Sequence, residues 1–261
     1  MQRVWITGAS SGIGLACCLR YASRGAQLVM TALPGKELEE AAEKCRAAGA
    51  AGVQALPYDF SDPSGLQALC EAAWNAFGGL DVVYCNAGIS QRTLVEDTSE
   101  EMIRKIMEID FFAPENIARA VLPKMLAQGG GHIAVTSSIS GKFGFPLRCA
   151  YASAKFAVYG FFETLQAEYY HRGLRVTIVC PGRVQTAISL NALDKGGKPH
   201  GKMDAGQAGG ISPERAARII VRAIDRGRRE VLVGSKELLM VYIKRFFPGL
   251  CARLVRRIKP E

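Results

Sequence analysis

Residues 3–14 read Arg-Val-Trp-Ile-Thr-Gly-Ala-Ser-Ser-Gly-Ile-Gly. A short apolar run, Val4-Trp5-Ile6, passes through Gly8, Gly12 and Gly14 into a segment of helical character, about Ile13–Arg24. Glycines at such a turn let the backbone reverse sharply and approach phosphates. The helix start beyond them offers free N–H groups and the positive end of a dipole. Ser10, Ser11 and Ile13 complete this candidate phosphate cradle. A glycine cluster alone is weak evidence, but one between a first strand and a first helix is strong when further βα units follow.

They do follow. Apolar runs at Arg3–Ile6, Gln27–Thr31, Gly52–Leu56, Leu80–Cys85, Gly131–Thr136, Leu174–Cys180 and Glu230–Val233 lack polar alternation, as parallel strands covered on both faces do. Helical stretches fall between them, about Ile13–Arg24, Gly35–Ala48, Pro63–Phe77, Ser99–Gln128, Ala150–Arg172 and Pro213–Arg226. Thr98 and Glu101 match a reciprocal capping pattern for the long fourth helix, and Pro114 and Pro123 are expected to kink or divide it. Repeated β-α alternation predicts an α/β fold: a Rossmann-type, doubly wound parallel sheet flanked by helices. No repeats or linkers interrupt it, so residues 1–235 read as one domain. The irregular stretch 187–210 within it is a functional flap or a surface excursion.

The strand ends carry candidate ligands. The second strand should meet the adenosine ribose, where an acid binds the 2′-hydroxyl and a cation favours a 2′-phosphate. Thr31-Ala32-Leu33-Pro34-Gly35-Lys36 has no acid, which tips the balance slightly toward NADP. Asp59, beside Phe60, can accept from an adenine amino group or simply start a turn. Asn86-Ala87-Gly88 puts small residues where backbone must pass close to a ribose.

The chemistry concentrates in residues 138–155. Tyr151 and Lys155 stand four apart in a helical segment and so share one face. A phenol titrates near ~10, and a nearby ammonium draws that value toward neutrality. Ser138 closes a buried-strand pattern thirteen residues earlier and can aim at the same spot. Tyr-x-x-x-Lys alone is mostly chance; the surrounding pattern gives it meaning.

Together these residues resemble the short-chain dehydrogenase/reductase family over nearly the whole chain. The match is Thr-Gly-x-x-x-Gly-x-Gly at 7–14, Asn86-Ala87-Gly88, Ser138, Tyr151-x-x-x-Lys155, and Pro181-Gly182 followed by Thr186. Ser137-Ser138-Ile139-Ser140-Gly141-Lys142 and Ala154-Lys155-Phe156-Ala157 further resemble the branch of 11β-hydroxysteroid-type and membrane-associated dehydrogenase/reductases. The resemblance implies NAD(P) across the carboxyl ends of the strands, Tyr151 as proton donor or acceptor, and Lys155 on Tyr151 and the nicotinamide ribose. It places Ser138 on the substrate oxygen and Pro181, Gly182, Val184 and Thr186 along the nicotinamide and pyrophosphate. It makes 187–210 a substrate loop, and it implies a homodimer or homotetramer built through the long helices. The substrate class implied is a secondary alcohol or ketone, apolar and lipid- or steroid-like. One position departs: where the family has Met-x-x-Asn-x-x-Gly, this chain has Met107-Glu108-Ile109-Asp110-Phe111-Phe112-Ala113. Asp110 is therefore a candidate for the proton relay with a shifted pH optimum, or the mark of a weakened enzyme. A dinucleotide-binding sensor or scaffold is the alternative function.

Composition sets outer limits. The net charge of +9 is scattered, without the aromatic-basic interleaving of a nucleic-acid binder, so no nucleic acid is expected and an anionic cofactor or membrane surface accounts for the charge. The eight cysteines show no C-x-x-C and fall mostly within predicted elements, which suits a reducing compartment. With no leader or spanning run before the first strand, the expected location is cytoplasmic. The extension 236–261 mixes Lys236, Lys244, Arg245, Arg253, Arg256, Arg257 and Lys259 with aromatic and aliphatic residues. It reads as a basic amphipathic segment that lies on a membrane interface, or else as a helix packed over the substrate pocket or a partner subunit.

Overall fold

The structure, a computed structural model, describes residues 1–258; the last three residues of the basic extension, Lys259 among them, lie outside the described residues. Seven strands are present where the apolar runs place them: β1 (Arg3–Thr7), β2 (Gln27–Thr31), β3 (Gly52–Ala55), β4 (Val82–Cys85), β5 (Gly131–Thr136), β6 (Leu174–Pro181) and β7 (Glu230–Val233). They form one parallel sheet in the order β3-β2-β1-β4-β5-β6-β7. The order reverses between β1 and β4, which opens a crevice at their carboxyl ends.

Helices cover both faces. Helices α1 (Gly12–Ala22), α2 (Lys36–Ala47) and, later in the chain, Pro213–Asp225 pack on one side, burying Val4, Ile6, Leu28, Met30, Ile220 and Val221. Helices α3 (Leu66–Asn75), α4 (Glu100–Met107), α5 (Ala113–Ala127) and α6 (Cys149–Tyr169) belong to the other side, where Trp5, Val83, Ile117, Ile133, Val158 and Phe162 meet. Alternate residues of β1 thus serve opposite cores, as the strand period requires. A four-residue helix α7 (Ala205–Ala208) precedes the Pro213–Asp225 helix, α8; the extension adds α9 (Leu239–Phe246) and α10 (Pro248–Val255).

Two local expectations, the helix cap and an interruption at Pro123, are corrected, and one, a division of the helix at Pro114, is met. The cap of the fourth helix is Ser99, whose Oγ accepts from Met102 N–H at 3.2 Å; Thr98 instead donates to the Leu94 carbonyl at 2.7 Å. The helix begins one residue later than the Thr98–Glu101 pattern implies. The interruption before Pro114 is not a simple kink but a π turn, Glu108–Phe112. Proline lacks an N–H and crowds the carbonyl four residues back, here that of Asp110, and the wider turn removes the clash. Pro123, by contrast, stays inside α5. The carbonyl it frees is that of Arg119, an exposed residue whose backbone water can satisfy.

Candidate active site

The glycine turn has the geometry of a phosphate cradle. Gly8 and Gly12 adopt φ of +65° and +54°, a region that side chains disfavour. A Cβ on Gly14 would stand 2.1 Å from the Gly8 carbonyl oxygen, so only glycine lets the helix start fold back on the turn. Ser11 is the N-cap of α1, yet its side chain makes no capping bond, so the first turn's N–H groups are left for an anion. The residues present therefore fit the pyrophosphate of a dinucleotide. Ala9 anchors the turn through its N–H on the Thr31 carbonyl at 3.1 Å, while Ser10 and Ile13 are half-buried beside it.

Asn86 and Ala87 close the crevice from β4. Their N–H groups both donate to Thr7 Oγ1 at 3.0 Å, and Asn86 Nδ2 donates to the Thr7 carbonyl at 3.1 Å. Thr186 reaches the same turn from the other side: a Cβ on Gly12 would lie 3.1 Å from its methyl group. Pro181 and Gly182 follow β6, with Gly182 N–H bonded to the Val233 carbonyl at 2.8 Å, and Val184 is buried. The structure thus brings the glycine turn, Asn86–Gly88 and 181–186 to one edge of the sheet.

Two adenosine-side residues make hydrogen bonds within the chain, Asp59 as the turn start that was one of its two expected roles. The Thr31 hydroxyl is fully buried and accepts from the Trp5 indole N–H at 2.9 Å, so it faces the core rather than a ribose. Asp59 accepts from Ser61 N–H at 2.8 Å, which makes it the start of a turn, and Phe60 is buried edge-on to Tyr58 at 5.1 Å.

The residues of 138–155 meet over the end of β5. Ser138 leaves the strand with its Oγ accepting from Ser140 N–H at 3.1 Å and 3.4 Å from the Pro181 carbonyl. The following turn packs tightly onto α6: Ser137 Oγ donates to the Lys155 carbonyl at 2.9 Å, and a Cβ on Gly141 would sit 2.6 Å from that same oxygen. Tyr151 is 7% exposed, and its N–H donates to Gln91 Oε1 at 3.1 Å. The Lys155 ammonium lies 5.6 Å from the centroid of the Tyr151 ring, as four-residue helical spacing allows.

Lys155 is held from below by two acceptors. Its Nζ donates to the Thr136 carbonyl at 2.9 Å and stands 3.0 Å from Asp110 Oδ2. Asp110 Oδ1 accepts from the Ile89 N–H at 2.8 Å, next to Gly88. The π turn before Pro114 therefore delivers a carboxylate, only 1% exposed, to the base of the site. Burial pushes the Asp110 carboxyl above the usual carboxylate range; the Lys155 charge and the Ile89 N–H oppose that without overcoming it.

Several residues of this site carry no motif signal. Gln91 is fully buried and spans Tyr151, Thr93 and Thr98, donating to Thr93 Oγ1 at 2.8 Å and Thr98 Oγ1 at 3.1 Å. Arg92 and Arg148 both grip Asp204, at 2.5 and 3.1 Å, and so fasten the 187–210 loop beside Tyr151. The one sequence hint was charge at positions next to motif residues: Arg148 stands three before Tyr151.

The comparisons agree with this geometry. Residues 2–195 match the model of the family described as short chain dehydrogenase. The chain is 36% identical over 258 residues to dehydrogenase/reductase SDR family member 7B of Bos taurus, covering 97% of this chain and 79% of that protein. It is 36% identical over 234 residues to the dehydrogenase/reductase SDR family protein 7-like of Anopheles gambiae, covering 88% and 74%. Among solved structures, it resembles a short chain dehydrogenase/reductase from Burkholderia phymatum in complex with NAD, with a TM-score of 0.85 and 25% identity over 100% of this chain and 96% of that one. An alcohol dehydrogenase from Thermococcus sibiricus complexed with 5-hydroxy-NADP gives a TM-score of 0.76 and 28% identity, covering 90% and 97%. Given a glycine turn shaped for pyrophosphate beside a buried Ser-Tyr-Lys constellation, the chain belongs to the short-chain dehydrogenase/reductase family, as an NAD(P)-dependent oxidoreductase acting on CH–OH groups.

Proposed function

We propose that the protein interconverts a secondary alcohol and a ketone, with Tyr151 exchanging the proton at the substrate oxygen. The bound nicotinamide dinucleotide supplies or accepts the hydride. Ser138 orients the substrate oxygen and stabilises the charge that develops there. The Lys155 ammonium, beside the Tyr151 ring, favours the phenolate electrostatically, and Asp110 with the Thr136 carbonyl keeps that ammonium in place. The buried Lys155–Asp110 pair under Tyr151 is the observation that carries this reading. Gly8, Gly12 and Gly14 with Asn86 and Thr186 would hold the dinucleotide.

Finer features follow in the same reading. The substrate has an apolar body, supported by Met102, Ile106, Met107, Phe111 and Leu193 packed around Tyr151. NADP is preferred, on the strength of exposed Lys36 and the lack of an acid after β2. The subunits pair through the long helices, where Leu122, Leu126, Phe161 and Leu165 line a groove between α5 and α6. Consumption of NADPH and NADH with a panel of ketones tests the core of this reading. Tyr151→Phe is expected to lose activity by roughly 10²–10⁴-fold, the usual range for a removed acid–base group. Equal rates for the two proteins would leave a dinucleotide-binding protein whose chemistry does not use Tyr151.

A further inference from the structure

The loop clasp beside Tyr151 holds more positive than negative charge. Arg92, its side chain 2% exposed, presents Nε and NH2 to Asp204 at 3.3 and 2.5 Å and donates from NH1 to Ser90 Oγ at 3.0 Å and the Gln91 carbonyl at 2.6 Å. Every side of that guanidinium is used. Arg148 is not so placed. Its NH2 shares Asp204 Oδ2 at 3.1 Å, its Cζ lies 4.9 Å from the centre of the Phe145 ring, and its Nε is buried without a partner. A single carboxylate therefore serves two guanidinium groups. The ionisable groups that bear on Arg148 are Arg92, Tyr151, Asp204 and Arg183, so with its own guanidinium three cations face one carboxylate and the tyrosine; the other carboxylate near Arg183, Glu237, accepts from the Arg183 backbone N–H at 2.8 Å. Burial, followed by Arg92, pushes the Arg148 guanidinium down to about 10, an unusual strain on a cation that a proximate anion would relieve.

Position ties this charge to the reaction. Arg148 is the residue before α6 and stands three before Tyr151, whose phenol is among the groups that bear on its charge. Leu147, just before it, is the one non-glycine residue with positive φ among the described residues, at +61°, and its carbonyl is held by Thr93 N–H at 3.2 Å. The chain thus accepts a disfavoured backbone conformation at the point that aims Arg148. Arg183 comes from the other wall, directly after Pro181-Gly182, and lies against Gly206, where a Cβ would stand 2.8 Å from its Nε. An apolar pocket needing only a clasp for its loop would be served by one arginine and Asp204.

We propose that Arg148 and Arg183 receive an oxoanion borne by the substrate, a carboxylate or a phosphate within about one helical turn of the carbonyl that Tyr151 protonates. Arginine suits such a group because its planar fork matches two oxygens at once. The substrate is then an anionic ketone or alcohol whose remaining body is apolar, and Arg92 with Asp204 holds the loop that closes over it. This assignment rests on the oxidoreductase reading above.

Matched pairs of ketones test it: 5-oxohexanoate against its methyl ester, and 5-phosphooxy-2-pentanone against 5-hydroxy-2-pentanone. The expected result is a kcat/KM at least tenfold higher for one or both anions than for the neutral partner, and the pair with the larger ratio tells carboxylate from phosphate. In Arg148→Gln and Arg183→Gln that ratio falls about tenfold or more, chiefly through KM, while Arg148→Lys retains part of it. Arg183 is exposed, so its variant keeps the test available if Arg148→Gln does not fold. Equal kcat/KM within both pairs, or an unaltered ratio in the arginine variants, overturns the proposal. Calorimetry with NADP-loaded Tyr151→Phe protein separates the two readings. Binding of an anionic ketone, lost in Tyr151→Phe/Arg183→Gln, upholds the anion site even if no ketone is turned over; ketone turnover without any anion preference sinks the anion site alone.

Discussion

Asp110 sets the charge on which Lys155 acts. Two buried ions 3.0 Å apart stabilise each other, yet removing either leaves the other stranded at a cost of about 3–5 kcal/mol. Burial raises the Asp110 carboxyl, so between its unfolded value near ~3.9 and its higher folded value the native state binds the extra proton. In that window the carboxylate ionises as pH rises, stability falls, and the Lys155 ammonium gains its counter-charge. Above it, in the mechanism proposed, the Asp110 charge opposes that of the Lys155 ammonium at the reacting oxygen. Asp110→Asn removes that opposition. The pH–rate profile of alcohol oxidation should then move to lower pH, by on the order of one unit for the loss of one nearby charge. An unchanged profile would show that Asp110 does not modulate the site. The residue was visible in the sequence as a departure from Met-x-x-Asn-x-x-Gly. Its placement was not, because the π turn that aims it arises from a clash between Pro114 and a carbonyl four residues earlier.

Elements differ in how far sequence reveals them. The inner strands were legible because a parallel strand buried on both faces is apolar at its centre, as Val4–Ile6, Leu28–Met30 and Ile133–Val135 are, while the half-buried edge strands β3 and β7 followed from the β-α alternation around them. The Ser-Tyr-Lys segment was legible because Tyr151 and Lys155 obey helical spacing. Gln91, Arg92, Arg148 and Asp204 were not, since long-range side-chain pairing leaves no periodic trace; Arg92 and Asp204 are 112 residues apart. Thr31 misled for a related reason: strand alternation turns its hydroxyl to Trp5. The tail elements α9 and α10 expose Leu239, Tyr242, Phe246, Phe247 and Leu250 beside Lys236, Lys244, Arg245, Arg253, Arg256 and Arg257. Cys251, Leu238 and Val241 instead pack toward Ile139 and Phe143, next to Ser138. One face thus packs on the turn after β5 while the other is apolar, aromatic and basic, a composition that suits an anionic interface. No helix among the described residues is long and apolar enough to span a membrane. Flotation with anionic liposomes should carry the full chain upward and leave a chain ending at Ser235 behind, with the difference abolished by high salt. Equal behaviour of the two chains would remove the interface role.

At the scale of the whole molecule, one topological fact organises the chemistry. The sheet order reverses between β1 and β4, so the glycine turn after β1, Asn86–Gly88 after β4, Ser138 after β5 and 181–186 after β6 all open on one edge. Helix α6 then brings Tyr151 and Lys155 across that edge from the side, fastened through the Ser137 Oγ–Lys155 carbonyl bond. That edge is where the proposed dinucleotide and substrate would meet. The central claim is that a nicotinamide dinucleotide and a ketone react at Tyr151, and isotope transfer tests it most directly. NADPH and NADH, each deuterated at the transferable position, would be incubated with protein and a ketone, and the product alcohol analysed by mass spectrometry and NMR. The account predicts deuterium at the carbinol carbon with the native chain and its near-complete loss with Tyr151→Phe. Unlabelled alcohol from the native chain, or equal labelling by both, would contradict it.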